Sequence, residues 1–458
     1  MSNAPDLPAF LAVWGSAAQR ALQTLPSGVT EAARRSWFDT VAVMAAGVVE
    51  NCTRSAMRST ANTNGQLTPG DAALVLGTAS HALDYDDVCM LATCHPSAPP
   101  VAALLAILPL LEQHRPDLTW SDMIGAYVLG TETTLRLGEW LGFRHYGLGF
   151  HATNTLGVVG VAASVAHVLR LPLKQAHAAL AIAASHAGGL RANFGTDTKP
   201  LHVGFAAAAG IRSALLAQAG ASASDDVWGP SGFFHAFSGG DAMTALPWTA
   251  LSPWALARPG FEHKRFPSCY LTHRLIAGIV AIRHRQVGYA GKPVHIAIEV
   301  PLNGLSALKY PHPATGLEAK FSGPYCAATA WIDGAAQLPS FNDAAVKRPA
   351  LQAQMRNVVV RERSQTGESL DSAPVHVTVR GEGWSDSIVV DWAPGSPADP
   401  MTRDQLRSKW HECASHAGLS TDDSSIFGLL DAPLDTRVAD LLLPLRKLLL
   451  TAISKETT

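Results

Sequence analysis

The sequence predicts a mainly α-helical protein: a large all-helical domain formed by both chain ends, with a smaller α+β domain inserted between them. Three observations predict it. Apolar residues recur with a helical period from about residue 8 to 260. The period drops to two at Val294, Ile296, Ile298 and Val300, and helical periodicity resumes after about residue 396. The parts are therefore drawn at 1–270, 271–395 and 396–458. A chain of 458 residues, 47% hydrophobic and only 16% charged, can bury Ala-rich helix surfaces against one another and build a sizeable core.

Taken in order, the first long helix is expected over 30–49, with Thr30 as its cap and Trp37, Val41, Met44 and Val48 on one face. Residues 98–112 open with Pro99 and Pro100, which a first helical turn accepts because its N–H groups lack intrahelical partners. Further helices are expected over 121–138 and 154–170, where Gly157 and Gly160 permit close helix approach. In the inserted part, strands are expected at 294–300, 357–361, 375–379 and 387–390, the last two joined through Gly381-Glu382-Gly383. The stretch GLEAKFSGPYCAATAWIDG between them reads as one helix. Thr402 is placed to cap the returning helices, which run through LLLPLRKLLLTAI and pack back on the first domain. An inserted domain leaves a cleft at the junction, where ligand sites prefer to lie.

Composition removes several function classes. A net charge of −2, with both signs scattered, provides no footprint for nucleic acid or an anionic membrane. The opening MSNAPDLPAF lacks the basic and apolar regions of a secretory signal, and no apolar run approaches the ~20 residues of a membrane span. A cytoplasmic protein is expected. Cys52, Cys89, Cys94, Cys269, Cys326 and Cys413 show no zinc-like pairing and are expected as free thiols. No GxSxG elbow, Walker loop or strand-linked GxGxxG occurs, so cofactor-free acid–base chemistry on a carboxylate remains.

Four clusters carry candidate chemistry. The first, HALDYDDVCMLATCHPS, holds His81, Asp84, Asp86, Asp87 and His95. In a helix His81, Asp84, Tyr85 and Val88 would share one face while Asp86 and Asp87 point elsewhere. Asp84 there is a general base, an orienter of a histidine, or a structural ion pair. Cys89, Cys94 and His95 have ligand chemistry but no regular metal spacing, so no metal is expected. The second, GFRHYGLGFHATNTLG, brings His151 to the start of a Gly-rich helix, a place that suits an anion. The third, RANFGTDTKPLHVG, contributes Lys199 and His202, and the fourth, HKRFPSCYLTH, contributes Lys264, Arg265 and Cys269. Lysines and arginines beside apolar helices suit carboxylate ligands. Each cluster equally reads as capped helix starts and solvated linkers when taken alone.

Together and in this order, HALDYDDV with HPSAPPVAALLA, GFHATNTLG, FGTDTKPLHVG, KRFPSCYLTH and GLEAKFSGPY resemble the MmgE/PrpD family, which includes 2-methylcitrate dehydratase, cis-aconitate decarboxylase and iminodisuccinate epimerase. The resemblance spans nearly the whole chain. It implies a helical domain built from both ends, an α+β lid between, a homodimer and no required cofactor. Matched to the decarboxylase branch, it implies a catalytic set of Asp84, His95, His151, Lys199, Lys264 and Tyr325, with Arg265, Cys269, Val88 and His202 toward the substrate. Val88 stands where that branch carries Thr, and Cys269 where it carries His; a site built to hydrogen-bond its substrate discriminates through such groups. HYGLGFHATNTLGV, NFGTDTKPLH, FPSCY and ATGLEAKFS are also similar to the epimerase branch. The activity implied is a lyase, a dehydratase or decarboxylase, that removes a proton beside a carboxylate of a small di- or tricarboxylic acid. An epimerase is the alternative, and a carboxylate-binding protein without catalysis the second.

Overall fold

The computed structural model describes residue 15 and residues 25–60, 67–228, 231–240, 254–364, 370, 373–421 and 424–455. The parts of the expected helical stretch at 8–14, 16–24, 61–66, 229–230 and 241–253 lie outside them.

Helix α1 (Ser27–Gly47) begins one turn earlier than expected, after Pro26, so Thr30 lies inside the helix and caps nothing. Its apolar face is as read: Trp37, Val41, Met44 and Val48 are all buried. Helix α2 (Pro69–His81) starts from a reciprocal cap in which Thr68 and Asp71 satisfy each other's backbone N–H. Helix α3 (Ala98–His114) carries Pro99 and Pro100 in its first turn. Helix α4 (Trp120–Gly147) extends beyond the expected 138 but is interrupted at Gly142, whose φ of 60° breaks the helical run. A single turn, Ala152–Thr155, precedes α5 (Gly157–Val168), and α6 (Leu173–Ala184) and α7 (Thr198–Gln218) complete this part of the bundle.

Close backbone approach decides the packing at two places. A Cβ on Gly77 of α2 would come 2.8 Å from the Gly204 Cα of α7, and one on Gly160 of α5 would come 2.5 Å from the Gly130 carbonyl of α4. Contrary to expectation, α7 is long and apolar enough by composition to cross a membrane; most of its apolar stretch is buried inside the protein, where α2, α5 and α6 pack around it.

The change of period at residue 294 is a real change of architecture. Strands β1 (His295–Val300), β2 (Val358–Glu362), β3 (Val375–Gly381) and β4 (Trp384–Val390) form one sheet in the order β2-β1-β3-β4, with β1–β2 parallel and the other pairs antiparallel. Helices α8 (His273–Arg285) and α9 (Gly323–Ile332) pack on it, and the alternate strand residues Ile296, Ile298, Val300, Val375, Val377 and Val379 enter a second core beneath them. The single helix expected over 316–334 is broken: Gly316–Ala319 stops, Lys320 to Ser322 turn, and Ser322 caps α9 by accepting from the Tyr325 N–H. Pro324 in that first turn has no N–H with which to continue the preceding helix.

Helix α10 (Arg403–His416), capped by Thr402 as expected, and α11 (Val438–Lys455) return to the helical part. One continuous core contains residues from Val29 to Phe261 on one side of the sequence and from Met401 to Ile453 on the other. A small cluster of Tyr146, Phe194, Cys269, Ala307, Leu308 and Phe321 joins helical and sheet-bearing parts.

Gly77→Ala is expected to destabilise the protein by about 1–3 kcal/mol, because neither α2 nor α7 can withdraw without opening the core. Gly288→Ala, with no heavy atom within 4 Å of the added Cβ, serves as the neutral control. Urea unfolding midpoints compare them directly.

Candidate active site

Helix α2 does not continue through the first cluster. It ends at His81, and Asp84 takes φ 52°, a left-handed conformation that a non-glycine residue adopts only under constraint. The helical-face grouping of His81, Asp84, Tyr85 and Val88 is therefore corrected: the cluster is a buried loop that turns its side chains in several directions. A β-bridge between Val88 and Glu262 pins this loop to the fourth cluster. A second bridge, Cys89 to Cys94, closes a tight turn just before His95.

The constraint on Asp84 is visible in its carbonyls. Three successive backbone oxygens each accept from a different buried ammonium: Leu83 from Lys320 at 2.8 Å, Asp84 from Lys264 at 2.8 Å, and Tyr85 from Lys409 at 2.9 Å. Lys320 also donates to the Pro267 carbonyl, and Lys409 to the Lys264 carbonyl and to Asp39 Oδ1 at 2.6 Å. A loop leaving a helix inside a core has backbone acceptors that water cannot reach, and these lysines satisfy them. Burial lowers the Lys320 ammonium to about 8.

The side chains build a second network. Lys199, in the first turn of α7, donates to Asp84 Oδ1 and to His81 Nε2, each at 2.7 Å. Lys264 Nζ lies 3.3 Å from the same Asp84 oxygen, and His95 Nε2 lies 3.5 Å from it. Asp86 receives His81 Nδ1 at 2.9 Å and stands 3.2 Å from His95 Nδ1. Behind them Ser97 donates to Asp87, which anchors the start of α3. Of the three aspartates, Asp86 thus joins Asp84 at the site, and Asp87 does not.

His151 is positioned by the Phe150–Leu190 bridge and by its N–H donating to the Gly189 carbonyl at 3.0 Å. Its Nδ1 meets His202 Nδ1 at 3.0 Å, while its buried Nε2 has no hydrogen-bond partner. Asp84 Oδ2 is likewise buried and unpartnered.

Burial and charge set the protonation states in opposite senses. Burial would raise the Asp84 carboxyl, but Lys199, Lys264, His95 and His81 together outweigh it and hold that carboxyl below the ordinary range. Asp86 is also held low, burial being overcome by His81 and His95. Burial lowers His81 to about 3 and His202 to about 4, and it lowers His95 as well. His151 falls well below its usual value, through burial first and then Lys199. The site therefore sets two ammonium groups against Asp84, with Asp86 held by His81 and His95, whose imidazoles burial keeps toward the neutral form.

These groups open onto a cavity lined by Asp84, His95, His151, Lys199, Lys264, Cys269 and Val88, together with aromatic, aliphatic and hydroxyl-bearing side chains. Seven of the ten residues singled out from the sequence thus meet at one place. The other three do not line it. His202 stands behind His151 as its partner. Arg265 offers its carbonyl to the Tyr85 hydroxyl at 3.3 Å, away from the cavity wall. Tyr325, expected in the catalytic set, is fully buried in the sheet-side core with its hydroxyl donating to the Ser340 carbonyl, and it does not line this cavity. Residues missed by the sequence reading include Phe194 and Phe321, whose rings lie 5.2 and 5.4 Å from Lys199 Nζ, and the clamping Lys320 and Lys409.

His81, Asp84, Asp86 and His95 present donor atoms within 4.8 Å of one another, a grouping a metal ion can use. Lys199 already donates to one atom of each of two of those four, His81 Nε2 and Asp84 Oδ1.

Lys409→Met is expected to lower the unfolding free energy by about 3–5 kcal/mol, since Asp39 is left as a buried, unpaired carboxylate. Adding Asp39→Leu is expected to recover part of that loss. Urea unfolding of the single and double variants tests both statements, and a double variant weaker than the single one contradicts them.

Comparison with known proteins agrees with the motifs. The MmgE/PrpD N-terminal domain model matches residues 13–245, and the MmgE/PrpD C-terminal domain model matches residues 266–427. The chain is similar to cis-aconitate decarboxylase of Homo sapiens, 30% identical over 361 residues that cover 76% of this chain and 73% of that protein. It is 29% identical over 362 residues to cis-aconitate decarboxylase of Mus musculus, covering 76% and 72% of the two chains. The cis-aconitate decarboxylase of Aspergillus terreus is 24% identical over 385 residues, covering 79% and 77%. With both halves of the molecule matched, the chain belongs to the MmgE/PrpD family.

Proposed function

We propose that this protein is a lyase, a dehydratase or decarboxylase that acts beside a carboxylate of a small organic acid through its own side chains. The observation that supports the reading most is the meeting of a neutral imidazole with an unengaged Nε2, His151, and two ammonium groups at one buried cavity. An ammonium has three donors. Lys199 uses two on Asp84 and His81, and the third is free to hold a substrate carboxylate.

The chemistry follows from charge. Breaking a C–H or C–CO₂⁻ bond next to a carboxylate leaves an enolate-like dianion, and each well-placed donor stabilises such charge by about 3–4 kcal/mol. Lys199 and Lys264 fill that role. Asp84 makes a poor base, because the same lysines keep its proton affinity low; it holds and orients the lysines instead. His151 is the proton carrier: in a dehydratase its neutral imidazole takes the proton beside the carboxylate and passes it to the departing hydroxyl, which leaves as water, and in a decarboxylase it takes a proton from solvent and passes it to the carbanion as carbon dioxide leaves. The named relatives, cis-aconitate decarboxylases, support the lyase class. A second reading, epimerisation, is favoured by His95, a second imidazole at the same cavity that could return a proton from another direction.

Proton NMR in D₂O with methylcitrate, citrate, cis-aconitate and iminodisuccinate separates these readings. Loss of water or carbon dioxide supports the lyase, deuterium entering Cα with the skeleton intact supports the epimerase, and silence with measurable binding supports a protein that only binds. For whichever substrate turns over, Lys199→Ala is expected to lower kcat/KM by at least a hundredfold, from the loss of one donor of about 3–4 kcal/mol. Unchanged kinetics would refute the assignment.

The pH dependence has a definite sign. As the base of a dehydratase His151 works deprotonated, and burial and Lys199 hold it well below its ordinary value. The acid limb of kcat/KM is therefore expected below the ordinary histidine value of about 6.5, with no loss between pH 8 and that value. A midpoint at the ordinary value would show that His151 is not the base.

A further inference from the structure

We infer that the substrate is an amphipathic mono- or dicarboxylate, with its carboxylate at Lys199 and Lys264 and an apolar substituent directed toward the cavity mouth. The inference rests on the proposed lyase reading and deepens it by naming the substrate class.

The cavity is polarised along its depth. Asp84, Lys199, Lys264 and His151 are all at most 4% exposed and form its floor. Toward solvent the wall is mainly apolar: Met90, Leu271 and Leu370 are half-buried and Phe143 is 38% exposed, with the hydroxyls of Thr93 and Ser306 set among them. The lining also includes Val88, whose side chain offers no hydrogen bond, and Cys269, whose thiol burial pushes up to about 11 and so keeps neutral. A further carboxylate placed along this wall would meet hydroxyls, at Thr93 and Ser306, but no cation, and would lose hydration without a counter-charge.

Charge points the same way. Among the described residues lining the cavity the cations are Lys199 and Lys264, and both already face Asp84. No arginine lines it, and the imidazoles of His95 and His151 are held toward the neutral form. One or two carboxylates can share the free N–H donors of the two lysines. A third has no cation left in the lining and would sit near Asp84.

The experiment is calorimetric titration of the intact protein at pH 7 with succinate, 2-methyl-, 2-propyl- and 2-pentylsuccinate, and tricarballylate. Affinity is expected to rise about fourfold per added methylene, the equivalent of about 0.8 kcal/mol each, until the chain passes the mouth. Tricarballylate is expected to bind no more tightly than succinate. Leu271→Asn should flatten the alkyl dependence, whereas Lys199→Met should weaken every member alike. A flat series, tighter binding of tricarballylate than of the alkyl diacids, or no binding by any member overturns the inference. Its failure is distinguishable from that of the lyase reading. Turnover of a tricarboxylate in the NMR panel with a flat series removes the substrate class and keeps the lyase; a rising series with neither turnover nor exchange of any acid does the reverse.

Discussion

Three neighbouring carbonyls, at Leu83, Asp84 and Tyr85, and the three buried lysines that serve them are the arrangement on which the site depends. A helix that stops inside a core strands its following acceptors away from water, and an unmet buried carbonyl is costly. Lys320, Lys264 and Lys409 meet them from the turn before a sheet-side helix, from the junction loop and from the returning C-terminal helix. With the backbone so held, Asp84 keeps a left-handed φ and its carboxylate faces Lys199. Position and charge are thus set by the same residues: Lys264 both anchors the Asp84 carbonyl and faces its side chain.

The site also shows how low polarity sorts protonation. Histidines that would straddle neutrality in water are driven neutral, while Asp84 and Asp86 are kept ionised by the cations and imidazoles around them. Asp87, one residue further, has no cation among the chief influences on it, and burial raises it to about 8. Adjacent carboxyls in one loop therefore occupy opposite states because of where their side chains point.

Much of this was legible in the sequence, and the rest was hidden for physical reasons. Periodicity located the sheet strands and the returning helices because a half-buried strand alternates and an amphipathic helix does not. The dense ionisable loop marked the site, and the ordered motifs brought Lys199, Lys264, His95 and His151 to it. The end of helix α2 at His81 was not legible: nothing in HALDYDDV breaks a helix by composition, and the break is imposed by distant lysines. Lys409 in RSKWHEC looks like the solvated face of a helix, and Lys320 like an interior helical residue, because an ammonium's burial is decided by partners far along the chain. Tyr325 carried a family expectation of a place in the catalytic set; its hydroxyl is engaged by Ser340 inside the sheet-side core.

The clamp also bears on how the chain reaches this state. Its contacts join residues separated by 180, 237 and 324 positions. Contacts of such long sequence separation close late, after helices such as α2 to α7 have formed from nearer neighbours. During synthesis the Asp84 loop must therefore wait, with its carbonyls wet and its carboxylate unpaired, until Lys409 has left the ribosome. Chemical competence arrives as the final event of assembly, so a partly made chain holds a helical body without a working centre.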